Sequence, residues 1–148
     1  MKSCLLVKTH LIALFAALAL LFAAGTALAK DDRWLVMLTS GDLQTQGMAL
    51  VLATEAQRQG TPVRVLLCDE AGKLALKEFT PPTLKPRDVS PKQMLQGLMQ
   101  NGAQVQVCAL FLPNSGKTAA DLIDGVTAAT PPEIVKLLND DDTRLLSF

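Results

Sequence analysis

One apolar run decides the fold expected of this chain: Val105-Gln106-Val107-Cys108-Ala109-Leu110-Phe111-Leu112. A turn-rich stretch follows it directly, Pro113-Asn114-Ser115-Gly116-Lys117. A short apolar run bounded by turn residues is typical of a buried strand in a parallel sheet. Open α/β sheets bind ligands beyond the carboxyl ends of such strands, and Cys108 lies near that end. Cys108 is therefore the first candidate for a reactive group.

Outward from this run, strand patterns alternate with helix patterns. Strands are also expected at 34–38, 62–67 and 143–148. Helices are expected at 48–56, 72–79, 91–100, 119–126 and from Pro131 onward. The sequence therefore predicts an α/β domain, a three-layer flavodoxin-like parallel sheet of about five strands with helices on both faces.

Capping residues and apolar stripes support two of these helices. Ser90 is a suitable N-cap before Pro91, and Met94, Leu95, Leu98 and Met99 form one apolar stripe. Thr130 precedes Pro131 in the same way, with an inward face expected at Ile134, Leu137 and Leu138. The segment 80–91, which leads into the first of these helices, contains four prolines and is expected to be a surface loop.

The first 29 residues have the order of a secretory signal peptide. Lys2 and Lys8 precede a continuous apolar stretch, and Ala27-Leu28-Ala29 forms a small-residue cleavage site before a charged run. We expect cleavage after Ala29 and a periplasmic or secreted domain at 30–148. An uncleaved membrane anchor is the other interpretation, because the apolar stretch is nearly long enough to span a bilayer. Membrane contact is otherwise not expected.

Charge and composition exclude several function classes for the exported domain. The 14 basic and 14 acidic side chains balance in the full chain, and losing Lys2 and Lys8 leaves the domain slightly acidic. Nothing in this charge indicates nucleic-acid binding. His10 lies within the signal segment, so the domain lacks the histidine that Ser-His-Asp and Cys-His catalysis and histidine metal sites need. No cofactor or metal site is expected.

Two partial motifs are better explained as turns. Ser115-Gly116-Lys117-Thr118 resembles the end of a phosphate-binding loop, but Phe111 stands where the pattern needs its first glycine. The run Asp140-Asp141-Asp142 lacks the spaced ligands and distal glutamate of a calcium loop.

Two thiols remain, and their surroundings differ. Cys68 precedes Asp69 and Glu70, whose charges raise a thiol pKa, so a half-buried structural cysteine is expected there. Cys108 precedes a loop with Lys117 and a helix expected near Thr118, both of which favour thiolate. A buried, inert Cys108 is an equal alternative at this point, because free cysteine is a common core residue.

No disulfide between Cys68 and Cys108 is expected. In a flavodoxin-like order, the second and third strands flank the first strand, which puts the two cysteines two strand spacings apart. Their Cα atoms would then be roughly 9.5 Å apart, beyond the reach of a disulfide.

The chain resembles the DsrE/DsrF-like sulfur-relay family, particularly its small YchN-like members. The resemblance rests on Val107-Cys108, the following Gly-Lys loop, Leu122-Ile123-Asp124-Gly125-Val126 and the final strand at 143–148. The segment 35–60 and Gln93-Met94-Leu95 are similar as well, so the likeness covers nearly all of 34–148.

The resemblance implies a five-stranded α/β fold, homo-oligomers such as trimers or hexamers, and a cysteine that carries sulfane sulfur as a persulfide. That cysteine corresponds to Cys108. Lys117 would stabilise the anion, Ser115, Gly116 and Thr118 would offer backbone N–H groups, and Phe111 would shield the site. Two features depart from the family: Phe111 stands where relatives often have a second cysteine, and most relay proteins are cytoplasmic.

The sequence therefore predicts an exported sulfur carrier, sulfurtransferase-like if catalytic, that exchanges sulfur with donor and acceptor proteins. The alternative is a non-catalytic oligomeric binding module with Cys108 inert. A copper(I) site made of thiols and methionines is disfavoured, because Met37, Met48, Met94 and Met99 occupy core positions of strands and helices.

Overall fold

The computed structural model describes residues 32–148, so the signal segment lies outside the described residues. The strands are β1 (Arg33–Leu38), β2 (Val63–Leu67), β3 (Gln104–Val107), β4 (Thr127–Ala128) and β5 (Thr143–Ser147). The helices are α1 (Leu43–Arg58), α2 (Pro91–Gln100), α3 (Phe111–Ser115) and α4 (Pro131–Leu138), with 3₁₀ turns at Asp69–Ala75 and Ala119–Asp121. None of the helices in this part of the chain is long and apolar enough to cross a membrane.

The five strands form one parallel sheet in the order β4-β3-β2-β1-β5. Helices α1 and α2 and the segment after β3 cover one face, where Leu50, Leu95 and Leu98 are fully buried with the inward side chains of β1 to β3. Helix α4 covers the other face through Ile134 and Leu137. The α/β class, the parallel sheet and the helices on both faces are confirmed.

The strand order departs from the expectation that β2 and β3 flank β1, because β2 pairs directly with β3. The physical reason lies in which face each connection crosses. Right-handed crossovers on one face advance in one direction, so α1, α2 and the segment after β3 place β2, β3 and β4 in succession. Helix α4 crosses the opposite face and returns the chain to the far side of β1.

A polar contact holds α4 against the sheet. Glu133 of α4 accepts hydrogen bonds from the Arg64 guanidinium at 2.7 Å and from the buried Gln106 amide at 3.2 Å. These bonds, the one from Gln106 foremost, lower the pKa of Glu133 below its usual range. Since Arg64 lies on β2 and Gln106 on β3, one carboxylate ties the helix to both strands.

The starts of three helices can be explained by residues at or just before their first turn. Ser90 and Gln93 form a reciprocal capping box at α2, which begins at Pro91 as predicted. Helix α4 begins at Pro131, also as predicted. Helix α1 begins earlier than predicted, at Leu43, because the Asp42 carboxylate accepts the Thr45 N–H at 2.8 Å and caps it.

Two elements after Cys108 differ from the sequence prediction. The third strand ends at Val107, and the Phe111 N–H bonds back to the Cys108 carbonyl at 3.0 Å, which turns the chain into α3. The expected helix at 119–126 is only a 3₁₀ turn, because the Ile123 N–H donates to the Ala75 carbonyl at 2.8 Å instead of continuing a helix. The strand β4 that follows was missed.

Two side chains expected in the core are exposed. Leu138 keeps 42% of its surface exposed, since α4 turns only Ile134 and Leu137 to the sheet. Met48 is 57% exposed, because α1 buries the neighbouring stripe Ala49, Leu50 and Ala53 instead.

Candidate functional site

The sheet brings Cys68 and Cys108 together at its carboxyl edge. Each cysteine is the residue directly after its strand, and the β2–β3 register ends with Leu67 beside Val107, so the next pair is Cys68 and Cys108. The Cys108 N–H donates to the Leu67 carbonyl at 2.8 Å, which extends the ladder to this point. Both cysteines are half-buried and both are free thiols.

This proximity corrects the separation expected from the sequence. The two cysteines follow neighbouring strands, not strands on either side of β1. Both pack against the small cluster of Leu35, Leu66 and Ala129 on the α4 face of the sheet, and Cys108 also packs against the larger core cluster. The distance reason for excluding a bond between them is therefore wrong, although the structure holds both as thiols.

The environment of Cys68 favours its neutral form. The pKa of Cys68 is raised to about 12. Burial is the largest cause, followed by the neighbouring Cys108 and then by the charge of Asp69. The direction expected from the adjacent carboxylates is confirmed, but burial is the largest cause and Asp69 a smaller one. Cys68 is thus a protonated thiol that can donate to the sulfur of Cys108.

Cys108 is one of the residues that line a groove of about 450 Å³. The groove is lined by residues from the turn after β2 and from α3: Asp69, Glu70, Lys73, Leu110, Phe111, Asn114 and Ser115. A thiol with an open approach on one side and a protonated neighbour on the other is arranged for attack on a sulfur electrophile.

Phe111 lines this groove together with Leu110, and its N–H donates to the Cys108 carbonyl. Its ring packs so closely on the turn after β2 that a β-carbon built on Gly72 would lie 2.3 Å from the ring Cδ2. Only glycine at position 72 allows this approach. The sequence prediction that Phe111 lies beside Cys108 agrees with this arrangement.

The residues predicted to support Cys108 are only partly brought to it. Ser115 lines the groove, whereas Gly116, Lys117 and Thr118 do not. The Lys117 ammonium pairs with Glu78, which raises the pKa of Lys117. Gly116 ends α3 in a left-handed conformation at φ 66, and Thr118 caps the next turn with Asp121, so the expectation of a turn here is confirmed.

The lysine that does line the groove is Lys73, which sequence reasoning missed. It lies on the 3₁₀ turn Asp69–Ala75, which stands in place of the helix expected at 72–79, and it pairs with Glu70 three residues earlier. Its position three residues after an acidic residue on a short helix was the available signal.

No group of three or more potential ligands among histidine, cysteine, aspartate and glutamate is close enough to hold a metal ion within residues 32–148. The two thiols at the strand ends therefore stand without a third such ligand in this part of the chain.

No protein-family model matches the chain, and no curated protein matches it. Among solved structures, the YchN protein from E. coli is 23% identical with a TM-score of 0.63, over 78% of this chain and 99% of YchN. The protein of unknown function BT1422 from Bacteroides thetaiotaomicron is 16% identical with a TM-score of 0.62, over 83% of this chain and 100% of BT1422.

A third similar structure is MTH1491 from Methanobacterium thermoautotrophicum, also of unknown function. It is 15% identical with a TM-score of 0.55, over 79% of this chain and 100% of MTH1491. Each of the three matched structures aligns over almost its whole length with this chain. From Arg33 to Ser147, the chain therefore has the DsrE-like fold of YchN.

Proposed function

We propose that this protein is an exported sulfur carrier that accepts sulfane sulfur on Cys108 as a persulfide. The observation that carries the proposal is that Cys108, at the carboxyl end of β3, is among the residues that line an open groove and has the protonated Cys68 thiol as its neighbour. Sulfur exchange at a thiol needs thiolate character and access, and it needs no histidine.

The exchange proceeds in two displacement steps. The Cys108 thiolate attacks the outer sulfur of a donor persulfide, and the donor leaves as a thiolate. An acceptor thiolate then attacks the outer sulfur now held on Cys108, and Cys108 leaves as a thiolate. The S–H of Cys68 donates to the Cys108 sulfur and stabilises its negative charge in both steps.

The groove residues complete the site. Lys73, which pairs with Glu70, supplies the positive charge among the groove residues, and Phe111 excludes water from one side. Of the loop predicted from the sequence, Ser115 reaches the groove, while Gly116, Lys117 and Thr118 fix the conformation of that loop.

The loading test uses a Cys68→Ser variant, in which Cys108 is the remaining thiol of the described domain and serine keeps a hydrogen-bond donor. After incubation with a persulfide donor and removal of the excess, mass spectrometry should find one added sulfur on the Cys108 peptide. The matched Cys68→Ser, Cys108→Ser variant should gain none. A Cys108 peptide without added sulfur at neutral pH would reject the carrier function.

The rival function is a non-catalytic module with an inert Cys108. The half-buried state of this thiol is compatible with it. Alkylation in the native protein distinguishes the two, since a carrier reacts before denaturant is added and an inert core thiol reacts only afterwards.

Exposed apolar residues on α1 support a proposed homo-oligomer. Met48, Val51 and Leu52 are 57%, 51% and 39% exposed and lie on one stripe of the helix, at i, i+3 and i+4. Patches of this kind mark contact surfaces between proteins. Light scattering after gel filtration should give the mass of a trimer or hexamer, and a Val51→Glu variant should lower it toward the monomer.

Export is proposed from the sequence of the first 29 residues. N-terminal sequencing of the protein recovered from the periplasm or the medium should begin at Lys30. Recovery of the intact N-terminus in the membrane fraction would favour an anchor instead.

A further inference from the structure

In sulfur loading Cys68 serves only as a hydrogen-bond donor to Cys108, but two thiols at neighbouring strand ends can also react with each other. Cys68 and Cys108 follow the last paired residues of β2 and β3, and the neighbouring Cys108 is one cause of the raised pKa of Cys68. Neighbouring strands are about 4.8 Å apart, and disulfides join Cα atoms about 4.4–6.8 Å apart. The strand spacing is therefore compatible with a bond between the two residues.

The side chains satisfy the second requirement for a disulfide, which is that they point the same way. Both pack against the cluster of Leu35, Leu66 and Ala129 on the α4 face of the sheet, and Cys108 packs against the main core as well. Both are half-buried, and both are reduced in this structure. Forming the disulfide requires rotation of the two side chains. It leaves the backbone hydrogen bond from the Cys108 N–H to the Leu67 carbonyl in place.

We propose that Cys68 and Cys108 form a redox-active dithiol that closes into an intramolecular disulfide by exchange with a small disulfide compound. The Cys108 thiolate attacks one sulfur of the compound, which forms a mixed disulfide and expels one thiolate. Cys68 then gives up its proton and attacks the Cys108 sulfur, and the second half of the compound leaves as a thiol. Two thiols are oxidised and one disulfide is reduced to two thiols, so the exchange balances.

The order in which the two thiols react follows from which of them lines the groove. Cys108 lines the open groove, whereas Cys68 does not line it. A disulfide compound therefore reaches Cys108 first, and Cys68 acts as the resolving thiol. In the closed state Cys108 has no free thiol, so the disulfide blocks sulfur loading, and reduction restores it.

The test adds oxidised glutathione to the reduced protein, followed by acid quenching and peptide mapping by mass spectrometry. The wild-type chain should lose two hydrogens and give a Cys68–Cys108 crosslinked peptide, which dithiothreitol reverses. Mapping separates this product from any reaction of Cys4. In Cys68→Ser, a glutathione adduct on Cys108 should persist at least about tenfold longer than in the wild-type chain, because no thiol resolves it. In Cys108→Ser, adduct formation should be slower.

Several outcomes would overturn the dithiol. One is a glutathione adduct on wild-type Cys108 that lasts as long as in Cys68→Ser. Another is a disulfide found only between two chains on a non-reducing gel. The wild-type crosslink decides the question even if a serine variant fails to fold, which circular dichroism reveals. Loading of Cys68→Ser by a persulfide donor tests the carrier function separately, so either idea can fail while the other stands.

Discussion

The ends of β2 and β3 place the same functional group in two different settings. After β2, Cys68 leads into an acidic 3₁₀ turn that begins with Asp69 and Glu70. After β3, Cys108 leads into the apolar start of α3, where Leu110 and Phe111 follow. One thiol is held protonated by burial and its neighbours, and the other belongs to a residue that lines an open groove. Adjacent strands can therefore supply a donor and a nucleophile from one residue type.

The sharpest way to break this comparison is to measure the two thiols side by side. At about pH 8, iodoacetamide should alkylate Cys108 at least about tenfold faster than Cys68, because only the thiolate reacts. The pKa of Cys68, raised to about 12, leaves almost no thiolate at that pH. Time-resolved mass spectrometry of the two peptides gives both rates, and equal rates would remove the asymmetry.

The contact that joins the two strand ends can be tested at Gly72. A Gly72→Ala variant should lose about 1–3 kcal/mol of unfolding free energy, since the new methyl group meets the Phe111 ring. Gly97 of α2 is the matched control, because a β-carbon there meets nothing within 4 Å. Gly97→Ala should gain about 0.5–1 kcal/mol from lower backbone entropy. Urea unfolding measures both, and equal shifts in the two variants would contradict the contact.

The part played by the acidic turn can be separated from burial. Asp69 adds to the high pKa of Cys68, so Asp69→Asn should raise the alkylation rate of Cys68 by roughly twofold to fivefold, a weak charge effect at a partly exposed site. Asparagine tolerates the positive φ of 49 at this position. Glu70→Gln is the control, since Glu70 pairs with Lys73, and it should change the rate less. A larger change in the Glu70→Gln variant would show that Glu70, and not Asp69, is the carboxylate that raises the pKa of Cys68.

The smallest expected effect is on alkaline stability. Cys68 has an ordinary pKa of 9.0 and a folded pKa of about 12, so the folded chain binds this proton more tightly than the unfolded chain. Its contribution to stability is complete below pH 9.0 and is lost as the pH rises toward 12. The loss should stay under about 1 kcal/mol, because a half-exposed thiol is screened by solvent. The unfolding free energy measured by denaturant titration should therefore fall less steeply with rising pH in Cys68→Ser than in the wild-type chain. Equal slopes in the two proteins would contradict this linkage.

Local chemistry in the sequence predicted much of this site. Ser90 and Pro91 marked the start of α2, and the carboxylates after Cys68 indicated the direction of its pKa shift. The apolar run that contains Cys108 placed it near the carboxyl edge of the sheet, although the strand ends one residue earlier, at Val107. Each of these depends on residues close in sequence, which is why pattern and spacing were sufficient.

Strand order could not be predicted in the same way. It depends on which face each connecting helix covers, and the apolar stripes of α1 and α4 do not carry that information. The pairing of Cys68 with Cys108 follows from the order, so it was missed together with it. The choice of Lys73 over Lys117 also depends on tertiary contacts, because Glu78 holds Lys117 away from the groove.

Strand β4 has only two residues, Thr127 and Ala128, and it forms the outer strand next to β3. An edge this short offers little template for another chain to extend the sheet by hydrogen bonding. The opposite edge, β5, presents five residues and carries the exposed Arg144 and Leu145. Misassembly by edge pairing would thus start at β5, on the far side of the sheet from the two thiols.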